Sequence, residues 1–370
     1  MACDLILGLF PAASGIGGIQ QVCRHVGATL QEWAQRRGRR CELVGWNDPE
    51  GMRAFSVGDR EYSYRGIARS RRALLAYLTA RACQTELLFA GHPNLGPAAL
   101  WAKILEGRLQ LWIAAHGMEV WEPLPPLRRM ALRQADGIWA VSRHTAEAVE
   151  GVQGVNRTRI VVQPPALDPA YFCGNAEPAA LPVPAGSKVL LTVGPILASE
   201  PGKGVDMVIR TMPALLEAFP NVYYVLVGDG DGRPALEELA ATCGVAEHVV
   251  FTGSRCESIR GYYEAADIFV MPSRQEGFGI VYLEAMAAGK PVVAAARGGA
   301  KEVVADGETG FVVSYGDVAG LKERLATLLA DEGLRRRMGD AGRQTVAERY
   351  RFEAFRENLI GILEGCTNRK

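Results

Sequence analysis

Short runs rich in Val, Ile, Leu and Phe recur along the chain, most of them closed by Gly, Pro or Ser. In the first half they read DLILGLF, CELVGW, ELLFAG, LQLWIAA, GIWAVS and RIVVQP. Near-continuous apolar runs of this kind predict strands buried on both faces. Between several of them the polarity shifts to a helical period, as in IQQVCRHVGATLQEWAQRRG, which predicts an amphipathic helix. Strand and helix in alternation predict βαβ units around a parallel sheet.

The rhythm stops at residues 164–187, PPALDPAYFCGNAEPAALPVPAGS, which hold six prolines and no period. Such a stretch predicts a linker. Alternation resumes at KVLLTVG, with a helix from about Val205, and continues through VYYVLVG, HVVFTG, DIFVMPS, PVVAAA and GFVV. From Leu321 onward the pattern predicts helix, with breaks at Gly333, Gly339 and Gly342. The expected domains are an N-terminal α/β domain over 1–172, a Pro-rich linker over 173–187 and a second α/β domain over 188–350. A C-terminal helix and tail occupy 351–370. Two doubly wound parallel sheets facing across a cleft are expected, with ligands outside the carboxyl ends of the strands.

Composition narrows the classes. A chain of 370 residues exceeds a typical single core, and 48% hydrophobic with 22% charged residues suits a soluble globular protein. Lys plus Arg and Asp plus Glu are both 41, so no global field points to nucleic acid. A mild basic excess in the first half gathers in RRGRR (Arg36–Arg40) and YRGIARSRR (Tyr64–Arg72). Each is either a solvated face or a surface for anionic headgroups or acidic acceptors. Eight cysteines without C-x-x-C spacing indicate neither a zinc site nor a disulfide framework, and fit a reducing cytosolic setting. The N-terminal MACDLILGLFPAASG lacks a basic leader, its apolar run is too short to span a bilayer, and no later segment is long enough. A cytoplasmic protein is expected, with peripheral contact at the inner membrane face open to the basic clusters.

The stretch RQEGFGIVYLEAMAAG, Arg274 to Gly289, carries the sharpest chemistry. An apolar strand before it and a helix within it place RQEGFG in a βα turn. Gly277 and Gly279 allow a tight turn and close approach of a ligand. The helix start beyond them offers N–H groups and a positive dipole end to an anion. Glu276 stands at that mouth, and Glu284 lies ~12 Å further along a helical rise. A nucleoside diphosphate sugar, with hydroxyls at both ends and phosphate between, matches these features. On spacing alone, a second reading stands: Glu276 as a helix cap and Glu284 as an exposed helical carboxylate.

The segment PSRQEGFGIVYLEAMAAGKPVVAAARGGAKEVVADGETGFVV resembles the E-x7-E signature of retaining glycosyltransferases of family 4, and the likeness covers essentially the whole chain. It implies the GT-B fold of two Rossmann-like domains, with the last helix crossing back to the N-terminal one. It implies that Glu276 contacts the hydroxyls of the donor sugar and Glu284 the ribose. The N–H groups of Gly277, Phe278 and Gly279 then lie near the sugar and diphosphate. SGIGGIQQV is similar to the family's first glycine-rich loop, so Gly17 and Gly18 are expected at the donor diphosphate; a plain tight turn is the other reading. AAHGMEVWEP resembles the H-G-x-E segment, which puts His116 near the reacting sugar in an orienting role, against a purely structural one. GHPNLGP, Gly91 to Pro97, is a similar strand-end loop that could face the acceptor.

In LTVGPILASEPGKGVDMVI, Lys203 matches the lysine that holds the diphosphate in the family, while Pro195 occupies the position of its usual arginine. A proline ring cannot form a bidentate phosphate contact, which leaves Arg274 or Arg297 as substitutes or donor activation weakened. GDGDGR contains Asp229 and Asp231 in the spacing of a metal-binding D-x-D, yet a βα turn explains it and the family's equivalent turn binds no metal. Gly253 and Ser254, in FTGSRCESI, correspond to a loop beside the nucleobase.

The resemblance implies a retaining hexosyltransferase that uses a UDP- or GDP-sugar without metal or other cofactor. The acceptor is a hydroxyl, such as that of a lipid-linked glycan in bacterial polysaccharide or glycolipid assembly, and no nucleic acid is involved. Pro195 motivates an alternative: a sugar-nucleotide-binding partner subunit of low activity. A nucleotide-sugar epimerase or a phosphorylase on the same fold is a third reading. A nicotinamide enzyme fits poorly, because no G-x-G-x-x-G follows the first strand.

Overall fold

The computed structural model describes residues 4–15, 17–174, 176–199, 201–254 and 259–367. The chain divides into two compact units, Met1–Pro169 with Arg351–Lys370, and Ala170–Tyr350.

In the first unit the described strands are β1 (Leu5–Phe10), β2 (Arg40–Gly45), β3 (Gly51–Val57), β4 (Arg60–Gly66), β5 (Thr85–Ala90), β6 (Gln110–Ala115), β7 (Gly137–Ala140) and β8 (Ile160–Val162). They form one sheet in the order β3-β4-β2-β1-β5-β6-β7-β8. The helices between them are α1 (Gly18–Arg36), α2 (Arg71–Arg81), α3 (Gly96–Leu105), α4 (Pro126–Gln134) and α5 (Arg143–Gly151). Every ladder is parallel except β3–β4. The six apolar runs of this half are β1, β2 and β5 to β8. β1, β6 and β7 are buried throughout, as strands covered on both faces must be.

The hairpin β3–β4 was not among those runs. Its second strand, REYSYRG, buries Tyr62 and Tyr64 and exposes the residues between them. An antiparallel edge with one covered face needs apolar side chains only at alternate positions. Gly58, with φ 61°, stands in the short turn between the strands.

The second unit contains β9 (Lys188–Val193), β10 (Val222–Val227), β11 (Val249–Phe251), β12 (Ile268–Met271), β13 (Val292–Ala295) and β14 (Gly310–Val313). Their order is β11-β10-β9-β12-β13-β14, with parallel ladders throughout. Its helices are α6 (Val205–Leu216), α7 (Arg233–Thr242), α8 (Ile259–Ala265), α9 (Ile280–Ala287), α10 (Ala300–Val303), α11 (Val318–Ala330) and α12 (Glu332–Arg349). The last helix, α13 (Phe352–Thr367), belongs to the first unit and packs on α1. There Phe352 and Phe355 close on the buried ring of His25, at centroid distances of 5.1 and 6.1 Å.

The expected helix breaks at Gly333, Gly339 and Gly342 are corrected by the structure. All three lie inside α12. A Cβ at Gly339 would fall 1.9 Å from the Gly289 carbonyl oxygen, and one at Gly342 3.2 Å from Met286 Cγ. These glycines let α12 settle onto α9. The actual interruption is at Asp331, whose carboxylate accepts the Leu334 N–H at 2.8 Å and caps α12.

In each sheet the strand order reverses beside the first strand of the unit, between β1 and β5 and between β9 and β12. Loops leaving adjacent strands diverge there, which opens a crevice at their carboxyl ends. Among the described residues no helix is long and apolar enough to cross a membrane.

Candidate active site

Lys203 and Glu276 meet at the reversal point of the second sheet. Lys203 comes from the loop after β9 and Glu276 from the loop after β12, and Lys203 Nζ stands 3.0 Å from Glu276 Oε2. Backbone contacts stitch the two loops together, since the Arg274 N–H donates to the Gly202 carbonyl at 2.5 Å. Gly204 has φ 79°, and a Cβ there would lie 2.4 Å from the Pro272 carbonyl oxygen. Only glycine permits that approach.

The Glu276 backbone is held from a third loop, after β13. The Gly299 N–H donates to the Glu276 carbonyl at 2.9 Å. At Gly298, with φ 82°, a Cβ would fall 2.2 Å from the same oxygen. Nothing in the sequence reading singled out Gly298 and Gly299; the adjacent pair after a strand was the available signal. Arg297, just before them, is exposed, as is Arg274.

α9 opens at Gly279, φ 94°, with no side-chain cap. Glu276 therefore does not cap it, and the cap reading is set aside. Tyr282 anchors the helix by donating its hydroxyl to the Met271 carbonyl at 2.8 Å. Further along, Glu284 Oε2 accepts the Tyr263 hydroxyl at 2.6 Å. Burial pushes the Glu284 carboxyl up to about 7, against the opposing effect of hydrogen bonds from Tyr263 and Tyr171. It is not an exposed helical carboxylate either.

Pro195 is exposed at the start of the β9 loop. The two aspartates of GDGDGR serve the loops around it. Asp231 Oδ1 accepts the Ala198 N–H at 2.8 Å, and Asp229 Oδ1 accepts the Gly230 N–H at 2.9 Å. Among the described residues no group of three or more His, Cys, Asp or Glu side chains is placed to hold a metal ion. Gly253, φ 71°, accepts the Gly228 N–H on its carbonyl at 3.1 Å, and Ser254 beside it is exposed. The following four residues, 255–258, lie outside the described ones.

The first unit places Gly17, φ 147°, at the start of α1, again without a side-chain cap, and Gly18 as the first residue of that helix. The loop before them is clasped from both sides. The buried Asp48 accepts the N–H groups of Ala13 and Ser14, at 2.9 and 3.0 Å, together with the Ser14 hydroxyl. Arg24 donates to the carbonyls of Ala13 and Gly15, at 3.3 and 3.0 Å. Asp48 was missed by the sequence reading, because an aspartate before a proline in a loop carries no signal of its distant partners.

His116 follows β6, and its Nε2 lies 2.7 Å from the Gly91 carbonyl oxygen. A carbonyl only accepts, so Nε2 carries a proton and donates it to that oxygen. His92, at the end of β5, stacks on His116 with ring centroids 5.8 Å apart. Burial, reinforced by His116, holds the His92 imidazole down at about 4, so it is neutral in ordinary conditions. The strand-end loop GHPNLGP thus supplies both a histidine and the carbonyl that orients His116.

The chain matches the Glycosyl transferases group 1 family over residues 175–345 and Glycosyltransferase Family 4 over residues 16–171. It is 36% identical over 287 residues to a GDP-mannose-dependent alpha-(1-6)-phosphatidylinositol monomannoside mannosyltransferase of Mycolicibacterium smegmatis, covering 73% of each chain. With a GDP-mannose-dependent monoacylated alpha-(1-6)-phosphatidylinositol monomannoside mannosyltransferase of Corynebacterium glutamicum it shares 30% over 356 residues, 87% of this chain and 92% of the other. Among solved structures, sucrose-phosphate synthase from Thermosynechococcus elongatus superposes with a TM-score of 0.80 at 22% identity, over 99% of this chain and 100% of that one. HepE of Anabaena in complex with UDP-glucose gives 0.74 at 20%, over 98% and 99%. Both units are accounted for by these matches, and the chain belongs to the group 1, family 4 glycosyltransferases: it is a glycosyltransferase of the GT-B fold, acting on a nucleotide-sugar donor.

Proposed function

We propose that this glycosyltransferase moves a mannosyl group from GDP-mannose to a hydroxyl of a lipid-linked acceptor, with retention at the anomeric carbon. The names of the mycobacterial and corynebacterial relatives support the donor and the lipid class of the acceptor. The single observation that carries the site is the Lys203–Glu276 pair at the mouth of α9. The turn Gly277–Gly279 and the start of α9 receive the diphosphate, together with Lys203. Glu276 takes hydroxyls of the sugar, and Glu284 those of the ribose. Gly17 and Gly18 are assigned to the diphosphate, His116 to orienting sugar and acceptor, and Gly253 and Ser254 to the base, on family resemblance.

When the donor binds, Lys203 exchanges the Glu276 carboxylate for phosphate oxygens. Its charge and the helix-end N–H groups then stabilise the departing diphosphate, which needs no metal ion for that purpose. The bond from the anomeric carbon to the phosphate oxygen breaks, and the acceptor oxygen bonds to that carbon from the same face. The acceptor's proton passes to the departing phosphate. The protein positions both partners and excludes water.

The test is nucleoside diphosphate release from a panel of GDP- and UDP-sugars, with a liposomal glycolipid acceptor and EDTA present. Turnover confined to GDP-mannose, with an α-linked product by NMR, is expected. Turnover with UDP-sugars alone overturns the donor assignment, and complete loss under chelation overturns the metal-free mechanism.

A further inference from the structure

α2, α3 and α4 lie side by side against one face of the first unit's sheet. Their inner positions, such as Leu74, Leu78, Ala99 and Leu132, are buried in its core. Their outer positions carry Leu75, Trp101, Ile104, Leu105, Leu127 and Met130, each between 44% and 67% exposed. Isolated exposed apolar residues need no explanation, but six on three neighbouring helices do. Trp101 joins two of the helices by donating its indole N–H to the Thr79 hydroxyl on α2 at 3.2 Å.

The charge on these helices is equally one-sided. RRALLAYLTAR, GPAALWAKIL and PLRRMALRQ contain no Asp or Glu, against three, one and three basic residues. The whole chain is balanced at 41 of each sign, so this face departs from the average. The carboxylates at its edges are engaged: Glu42 with Arg81, Asp136 with Lys103, and Glu106 with the Arg108 N–H. Arg71 and Arg72 are exposed at the start of α2.

We infer that this three-helix face docks on an anionic lipid surface. The apolar side chains enter the boundary between headgroups and acyl chains, Trp101 sits at that boundary, and Arg71 and Arg72 meet the phosphates. An apolar surface whose helices carry no carboxylate and present the exposed Arg71 and Arg72 suits a negatively charged bilayer and is unfavourable toward a basic partner. The other basic cluster, Arg36–Arg40, is not the contact surface. There Arg36 pairs with Glu357, Arg37 and Arg39 with Glu86, and Arg40 with Asp4. The inference extends the lipid-acceptor reading above by naming the partner surface, and does not depend on which sugar is moved.

The experiment is co-sedimentation of the full chain with phosphatidylcholine vesicles, with and without phosphatidylglycerol, across a range of salt. Binding to the anionic vesicles, weakening as salt rises, is expected. Ile104→Glu with Leu127→Glu, and separately Arg71→Glu with Arg72→Glu, should each lower affinity by about tenfold or more. All four positions are exposed, so circular dichroism should match the unaltered chain. The Trp emission of the parent should shift to the blue on binding, and W101F should lose most of that shift. Absence of binding, or variants that bind like the parent, overturns the inference. So does a parent dimer that Ile104→Glu dissociates, since a second copy then covers the face. GDP release from GDP-mannose with a detergent-dispersed glycolipid acceptor and no vesicles is read in parallel: its absence with vesicle binding intact sinks the catalytic reading and leaves this one standing.

Discussion

Lys203 Nζ stands 3.0 Å from Glu276 Oε2, and both side chains are largely withdrawn from solvent. In the donor-free site the residue assigned to the diphosphate and the residue assigned to the sugar neutralise each other. Glu276→Gln should therefore lower turnover by about 10²–10³-fold while leaving GDP affinity equal or tighter, because it releases Lys203 to the phosphates. Lys203→Ala should lower turnover similarly but weaken GDP. Calorimetric titration of GDP into both variants checks this. Equal weakening in the two would sink the exchange.

Glu284 offers a pH test. Its carboxyl is raised to about 7 by burial, so the folded, donor-free protein favours the protonated form. Its contribution to stability is complete below the ordinary carboxyl range and is lost as pH rises through about 7. Ribose hydroxyls donate to the ionised form, so donor affinity should increase as pH rises through that value. Glu284→Gln should weaken the donor and flatten both trends. Thermal unfolding and donor titration on either side of neutrality measure them; a pH slope surviving in the variant would assign it to another group.

Two glycines of nearly identical backbone separate strain from site geometry. Gly298, φ 82°, faces the Glu276 carbonyl oxygen at 2.2 Å from its would-be Cβ, whereas Gly307, φ 81°, faces nothing within 4 Å. Both alanine variants should lose about 1–3 kcal/mol through the left-handed conformation alone. Only Gly298→Ala should also lose most turnover, because it displaces Glu276. Matched activities in the two variants would show that the Glu276 turn tolerates movement.

Asp48→Ala leaves the N–H groups of Ala13 and Ser14 without their acceptor, at a cost of about 1–3 kcal/mol each if they stay buried. Melting temperature should fall. The donor KM should rise several-fold with a smaller change in kcat, because the loop leads into Gly17 and Gly18. Asp48→Asn, which keeps one acceptor oxygen, should recover part of both effects. An unchanged KM in a destabilised Asp48→Ala would reduce the aspartate to a structural role.

The two sheets were legible because a strand covered on both faces must be apolar along its length, as β1, β6 and β7 are. The hairpin β3–β4 at the margin of the sheet escaped that test, since β4 buries only alternate residues such as Tyr62 and Tyr64. Glycines were read least well. Gly339 and Gly342 suggested breaks in a helix that continues through them, because their value lies in the contact of α12 with α9 and not in local flexibility. Gly298 and Asp48 passed unnoticed for the same reason.

By itself, the sequence determined two α/β units built on parallel strands, the presence of Lys203 and Glu276 in loops after strands, and that of Glu284 on the helix that follows Glu276. Only the tertiary structure decided that Lys203 and Glu276, 73 residues apart, share one charge pair, and that a glycine from a third loop leaves room for it. Periodicity is a property of consecutive residues and survives in the linear order. An ion pair, or the absence of a Cβ, acquires meaning only from the neighbour that folding brings against it.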